Sequence, residues 1–145
     1  MRPSDFKQAL ALWKSSKGVG LRSDDNHAQV ANYLKRNQGI SLVALWNGRM
    51  VGTVMGGHDG RRGNLVHLAV ADGHRRKGIG RLLAEECLTR LKKAGIPRTH
   101  VMVFKTNRIG RSFWKSMGWE ERPDLALFSS PFKEGPGPKG CSKSC

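Results

Sequence analysis

A short basic segment with two glycines constrains the fold of this chain more than any other feature. It covers residues 74–81 (His-Arg-Arg-Lys-Gly-Ile-Gly-Arg) and joins two apolar stretches. Residues 65–70 have the length and β-branched content of a buried strand, and residues 79–91 place apolar side chains on one face of a long helix. Residues 99–104 then return as a strand, so we predict a right-handed β-α-β crossover with two parallel strands.

The same segment has the chemistry of a phosphate-binding loop. Gly78 and Gly80 lack a Cβ, so the backbone can turn tightly and approach an anion at the positive end of the following helix. Four side chains add positive charge: Arg75, Arg76, Lys77 and Arg81. The alternative for this loop alone is a basic helix start on a solvated face. A dinucleotide fingerprint is excluded because Leu83 stands where its third glycine belongs, and the Gly-Lys-Ser/Thr of a P-loop is absent.

The Asn47-Gly48 pair supplies a second topological signal. It lies between the apolar runs 41–46 and 50–56, and both residues tolerate the positive φ of a type I′ turn. The pattern therefore predicts an antiparallel hairpin.

Helical periodicity predicts two surface helices before the hairpin and a short one near the end. The first follows a cap at Ser4, the second follows a cap at Asp24 or Asp25, and the last covers about residues 109–117. Two further strand candidates are residues 118–121 and 125–128. The fold class is therefore α/β (α+β), with a mixed central sheet flanked by helices.

Length and composition predict one domain, at residues 1–132 of 145, and a flexible Gly/Pro/Lys tail at residues 133–145. With 38% apolar residues the chain is not wholly disordered, and it has neither an apolar run of membrane-span length nor a signal-peptide core. We therefore expect a cytoplasmic protein with no membrane partner. Three cysteines fit no disulfide framework, and Cys141 with Cys145 falls short of the four ligands of a zinc site, so no metal is expected.

The net charge of +15 predicts an anionic partner. Nucleic acid, a phosphorylated cofactor and an acidic protein all fit such a balance, so a basic nucleic-acid-binding module is an alternative function. Specific nucleic-acid binding is not expected, because basic residues concentrate at residues 75–81 and 105–111. This placement favours a phosphorylated cofactor.

Two motifs resemble those of the GNAT family of N-acetyltransferases. Arg75, Gly78 and Gly80 match the fixed positions of its Gln/Arg-x-x-Gly-x-Gly/Ala motif. Residues 107–119 resemble its Asn-x-x-Ala-x-x-Phe/Leu-Tyr-x-x-x-Gly-Phe segment. The resemblance runs from Leu42 to Phe128 and implies the small single-domain GNAT fold. The strand that normally precedes the first helix of this family is expected to be missing or very short.

The resemblance implies transfer of an acetyl group from acetyl-CoA to a primary amine of a small molecule or a protein N-terminus. Leu68, Ala69 and Val70 would hold the pantetheine arm, Asn107 would contact its amides, and Trp114 would pack beside the sulfur. The pyrophosphate would lie on the basic loop, formed by Arg75, Arg76, Lys77, Gly78, Ile79, Gly80 and Arg81.

The catalytic groups are less clearly defined by the sequence. Trp114 stands where many members carry a tyrosine proposed to protonate the CoA thiolate, and an indole cannot act as that acid. An inactive, CoA-binding GNAT-like domain is therefore a further alternative. His67 is the candidate general base, and the alternative is that it is only a polar residue filling its side of the strand. Asp59, Asp72, Glu85 or an ordered water are the other options for the base. The acceptor amine and the oligomeric state, a homodimer included, stay open.

Overall fold

A computed structural model describes residues 1–130, which form a four-stranded mixed sheet with helices on both faces. The strand order is β1-β2-β3-β4, with antiparallel pairing except between β3 and β4, which are parallel. The elements are α1 (Phe6–Ser15, after a 3-10 turn at Pro3–Asp5), α2 (His27–Arg36), β1 (Leu42–Trp46), β2 (Arg49–His58), β3 (Gly63–Val70), α3 (Ile79–Lys93, after a 3-10 turn at Asp72–His74), β4 (Thr99–Val101) and α4 (Arg108–Ser116). The predicted tail at residues 133–145 lies outside the described residues.

The predicted mixed sheet, hairpin and crossover are confirmed. Asn47 and Gly48 have φ of 48° and 74°, as a type I′ turn between β1 and β2 requires. The α3 crossover joins β3 to its parallel neighbour β4. In the described part of the chain, no strand precedes α1, and no helix is both long and apolar enough to cross a membrane.

Two hydrophobic clusters cover the two faces of the sheet. Val54 packs with α3, whereas the next residue, Met55, packs with α1 and α2, because successive side chains of a strand point to opposite faces. The α3 cluster is centred on Leu65, Leu83, Cys87, Leu91 and Trp114. The α1–α2 cluster is centred on Trp13, Val30, Leu34 and Ala69. Burying each of the larger side chains contributes about 1.5–3 kcal/mol.

Four expectations about local structure were wrong. Ser4 does not cap α1, because it lies within the 3-10 turn Pro3–Asp5 that continues into the helix. The cap of α2 is Asn26, whose side chain accepts a hydrogen bond from the Gln29 N–H, since the Asp25 carboxylate is engaged elsewhere. β4 ends at Val101, because the chain leaves the sheet there instead of continuing to residue 104. Residues 118–121 and 125–128 form no strand. Trp119 packs against Trp114 instead, and Leu125, Leu127 and Phe128 lie exposed without a strand neighbour.

Candidate active site

The candidate site begins where β3 and β4 separate. The two strands pair at three positions only, from Gly63 with Thr99 to Leu65 with Val101. β3 continues to Val70, paired with β2 on its other side. Among the described residues, the edge of β3 after Leu65 therefore has no strand partner on the β4 side. Its backbone groups border an opening in which an extended ligand can bind as a strand does.

A β-bulge marks the start of this opening. Between Thr53 and Met55, the single residue Val54 lies opposite two residues of β3, His67 and Leu68. His67 has φ of 50°, a left-handed conformation that costs a non-glycine residue about 1 kcal/mol.

A buried hydrogen-bond chain stabilises this bulge. The Thr53 hydroxyl donates to the His67 carbonyl at 2.9 Å, and the Trp13 indole N–H donates to the Thr53 oxygen at 2.9 Å. Thr53 and Trp13 are both fully buried or nearly so. The backbone at His67 is therefore fixed from α1 through β2.

The His67 side chain is held by two other groups. Its Nε2 lies 2.6 Å from Oδ1 of Asp25, and its ring lies against the Trp13 indole with centroids 4.3 Å apart. The two polar side chains are only 11% and 18% exposed. Asp25 belongs to the connector, defined here as residues 16–26 between α1 and α2. Oδ2 of Asp25 also accepts a hydrogen bond from the Arg22 N–H at 2.7 Å.

The connector also approaches the end of β4 and the start of α4. A Cβ added to Gly18 would lie 2.3 Å from Nδ2 of Asn107, and one added to Gly20 would lie 2.6 Å from the Phe104 ring. Only glycine permits so close an approach at these two positions. The connector thus passes from the β4 side of the opening to His67 on the β3 side.

The other end of the opening leads to the predicted phosphate loop. Arg76 and Gly78 have φ of 60° and 82° and both precede Ile79, the first residue of α3. Left-handed residues in such a turn aim successive backbone N–H groups at a common point, where the first N–H groups of the helix also point. A Cβ at Gly78 would meet nothing within 4 Å, so the space in front of the loop is open.

The four cations of the loop have different partners. Nε of Arg75 donates to the Val70 carbonyl at 3.0 Å and pairs with Asp72 at 3.2 Å, which folds the loop back onto β3. Arg81 pairs with Glu85 and contacts the end of α4 at Ser116. Arg76 and Lys77 are exposed and have no carboxylate partner among the described residues. These two side chains are the available charges of the loop.

Asn107 and Trp114 have structural contacts of their own. Oδ1 of Asn107 accepts the Gly110 N–H at 2.9 Å and so caps α4. Trp114 is 7% exposed within the α3 cluster, with ring centroids 5.0 Å from Phe113 and 4.7 Å from Trp119. Both residues therefore stabilise the fold, whatever else they contact.

The other candidate bases have local partners. Asp59 accepts backbone N–H groups of Arg62 and Arg61 in the β2–β3 turn, and these bonds hold the pKa of its carboxyl below the usual range. Asp72 and Glu85 pair with Arg75 and Arg81. Among the described residues, no group of three or more His, Cys, Asp or Glu side chains could hold a metal ion.

Two residues of the site were missed by sequence reasoning: Asp25 and Thr53. Asp25 was treated only as a helix cap, and it lies 42 residues from His67, so no spacing relates the two. The one signal in the sequence was the consecutive pair Asp24-Asp25, of which only one could cap α2.

Comparison with known proteins agrees with this architecture. The model of the acetyltransferase (GNAT) family matches residues 7–119. Three solved structures share the fold of this chain, with TM-scores of 0.63–0.72 at 18–19% sequence identity.

One is the PaiA N-acetyltransferase of Thermoplasma acidophilum in complex with coenzyme A (TM-score 0.72, 19% identity, 81% of this chain and 84% of that one). Another is the aminoglycoside 6′-N-acetyltransferase AAC(6′)-Ig of Acinetobacter haemolyticus (TM-score 0.67, 18% identity, 90% of this chain and 94% of that one). The third is a ribosomal-protein-alanine N-acetyltransferase of Brucella melitensis (TM-score 0.63, 18% identity, 92% of this chain and 96% of that one). Because the family model covers most of the sequence, the chain belongs to the GNAT family of acetyltransferases.

Proposed function

We propose that this protein transfers an acetyl group from acetyl-CoA to a primary amine. The observation that carries the proposal is the opening beside β3, which leads to the loop before α3, where Arg76 and Gly78 have left-handed backbone conformations. Pantetheine is an extended chain with two amides, and it ends in a pyrophosphate. An unpaired strand edge followed by an anion-binding loop is complementary to that molecule.

The residues present fit acetyl-CoA as a substrate. Backbone groups of Leu68, Ala69 and Val70 would hydrogen-bond the pantetheine amides, as another strand would. The N–H groups of residues 76–81, with the Arg76 and Lys77 side chains, would bind the pyrophosphate. Coenzyme A in the T. acidophilum enzyme of the same fold supports this assignment.

The transfer itself needs a fixed thioester and an amine that has lost its proton. The amine nitrogen attacks the carbonyl carbon, the C–S bond breaks, and CoA leaves as a thiolate while the amine proton goes to a base. We assign His67 as that base, since it stands at the bulge where the opening starts. A thiol pKa near about 8.5 makes thiolate a suitable leaving group, so Trp114 need not supply a proton.

The acceptor is a primary amine of a small molecule or a protein N-terminus. The related folds act on an aminoglycoside in one case and a ribosomal protein in another, so the fold alone does not choose between these classes. Gly18 and Gly20 of the connector approach Asn107 and Phe104 at the opening, so this part of the connector would contact the acceptor.

The proposal is tested by calorimetry with CoA and acetyl-CoA, followed by thiol release from acetyl-CoA in the presence of a panel of amines. Saturable binding and amine-dependent thiol release are expected. Absence of binding at sub-millimolar acetyl-CoA would overturn the assignment. Binding without release for any amine would indicate the inactive CoA-binding alternative.

A further inference from the structure

The contact between His67 and Asp25 defines which ring nitrogen is basic. An ionised carboxylate only accepts hydrogen bonds, so Nε2 of His67, 2.6 Å from Asp25, carries a proton. In the neutral imidazole, Nδ1 then bears the free lone pair. The carboxylate cannot easily turn away, because its second oxygen accepts the Arg22 N–H.

We propose that Asp25 is the positioning residue of His67: it fixes the tautomer in which Nδ1 takes the proton of the attacking amine. This inference rests on the proposed acetyl transfer. When Nδ1 gains the proton, the imidazolium keeps Nε2–H bonded to the Asp25 carboxylate, whose charge stabilises the cation. The proton passes afterwards to the departing CoA thiolate or to water, which leaves the base ready for another cycle.

The backbone at His67 supports a functional role for the pair. A φ of 50° is uncommon for a non-glycine residue, although histidine adopts it more readily than most other side chains do. Strained residues persist where the surroundings fix them, and they concentrate at active sites. The surroundings here are Trp13 of α1 on the ring, Thr53 of β2 on the carbonyl and Asp25 of the connector on Nε2.

A double-mutant cycle on turnover tests the pair, with an amine found by the thiol-release assay. We expect His67→Ala to lower kcat by about 100-fold or more and Asp25→Ala to lower it by at least about tenfold. The double variant should be no slower than His67→Ala, because Asp25 acts only through the ring. The KM for acetyl-CoA should change by less than about twofold in all three.

Matched controls separate this role from a purely structural one. Asp24→Asn removes the neighbouring, exposed carboxylate and should leave kcat unchanged. Asp25→Asn keeps the shape of the side chain, so it should fold like the native protein while losing turnover. The proposal would be overturned if Asp25→Ala lowered kcat in the His67→Ala background by the same factor as in the native protein. Normal kcat in the Asp25→Ala variant would also overturn it.

A second measurement needs no acceptor and no variant. Nitrogen-15 spectra of the imidazoles of the native protein should show His67 protonated at Nε2 and unprotonated at Nδ1 when the ring is neutral. The reverse tautomer would overturn the proposal even if the protein is an active acetyltransferase. An enzyme inactive toward every amine would instead overturn the proposed function, and this inference with it.

Discussion

Gly78 and Gly80 serve the loop before α3 for different physical reasons. Gly78 has a φ of 82°, which only glycine adopts without strain, so it is required by the turn itself. Gly80 is helical, and a Cβ there would make only ordinary contacts, 3.6 Å from Val70 and 3.7 Å from Phe113. The protein's own packing therefore leaves room for a Cβ at residue 80, whereas a ligand bound against the start of the helix would meet any side chain there.

The first prediction follows from that difference. Gly80→Leu should retain most of the free energy of unfolding but weaken binding of acetyl-CoA by at least about tenfold, or about 1.4 kcal/mol. Calorimetry measures the dissociation constant, and urea unfolding measures the stability. Gly73→Leu is the matched control, because Gly73 lies nearby in open space and outside the N–H groups assigned to the pyrophosphate. Normal binding by Gly80→Leu would show that the phosphates bind elsewhere.

The second prediction concerns Trp114. Trp114→Tyr and Trp114→Phe both leave part of the indole volume empty between Phe113 and Trp119, and each should cost about 1–2 kcal/mol of stability. The two variants differ only by a hydroxyl, so the ratio of their kcat values isolates acid catalysis. Equal kcat is expected if CoA leaves as the thiolate. A several-fold faster tyrosine variant would show that protonation of the thiolate limits the native enzyme.

At the scale of elements, α3 packs its Cys87 onto β2 where Gly56 leaves room for it. A Cβ at Gly56 would come within 2.2 Å of the sulfur, so the glycine is required by this packing. Burial raises the pKa of the Cys87 thiol to about 12, and burial likewise raises the pKa of Tyr33 on α2 to about 12. The Tyr33 hydroxyl is buried without a hydrogen-bond partner among the described residues.

The third prediction is a loss of stability at alkaline pH. The unfolded chain releases the Cys87 proton near pH 9.0, well before the folded protein does, so the stabilisation is complete below pH 9 and is lost as the pH rises toward 12. Between pH 9 and 10 this thiol alone should lower the free energy of unfolding by about 1 kcal/mol.

Denaturant unfolding at each pH measures this slope. Cys87→Ala should flatten it between pH 9 and 10, whereas Tyr33→Phe should flatten it only above pH 10, the ordinary pKa of tyrosine. An unchanged slope in Cys87→Ala would show that another group controls the alkaline limit.

Elements whose signals are local were predicted from the sequence, and those defined by distant partners were not. Asn47-Gly48 encodes its turn within two residues, and the loop before α3 encodes its own glycine conformation. The strand candidate at residues 125–128 has an apolar pattern, but a strand forms only where another edge accepts it. The contact of Asp25 with His67 depends on how the connector crosses the sheet, which no local pattern specifies.

At the scale of the whole molecule, the excess positive charge is distributed over separate regions. Arg76 and Lys77 lie before the first turn of α3, whereas Arg90 and Lys93 lie in its last turns with Arg36 nearby. The two basic regions are therefore at opposite ends of one helix. Regions separated in this way are less suited to follow a nucleic-acid backbone than one continuous stripe is.

The fourth prediction is that random duplex DNA binds weakly and that binding disappears by about 0.2 M salt, as counterion release alone requires. Acetyl-CoA binding should weaken only modestly over the same range, because backbone N–H groups carry much of it. Fluorescence anisotropy with labelled DNA, beside calorimetry with acetyl-CoA, compares the two. A nanomolar DNA complex that survives this salt would favour the nucleic-acid-binding alternative.

The three-residue pairing of β3 with β4 has a consequence for how this protein is maintained in its folded state. In the described part of the chain, the edge of β3 after Leu65 has no strand partner on the β4 side, so a bound acetyl-CoA would in effect serve as a removable strand of the sheet. Folding and substrate supply are then linked by mass action. A ligand at 100 times its dissociation constant adds about 2.7 kcal/mol to the free energy of unfolding. The resistance of such an enzyme to heat and proteolysis would follow the local ratio of CoA to its dissociation constant, and starvation for CoA would shorten its lifetime.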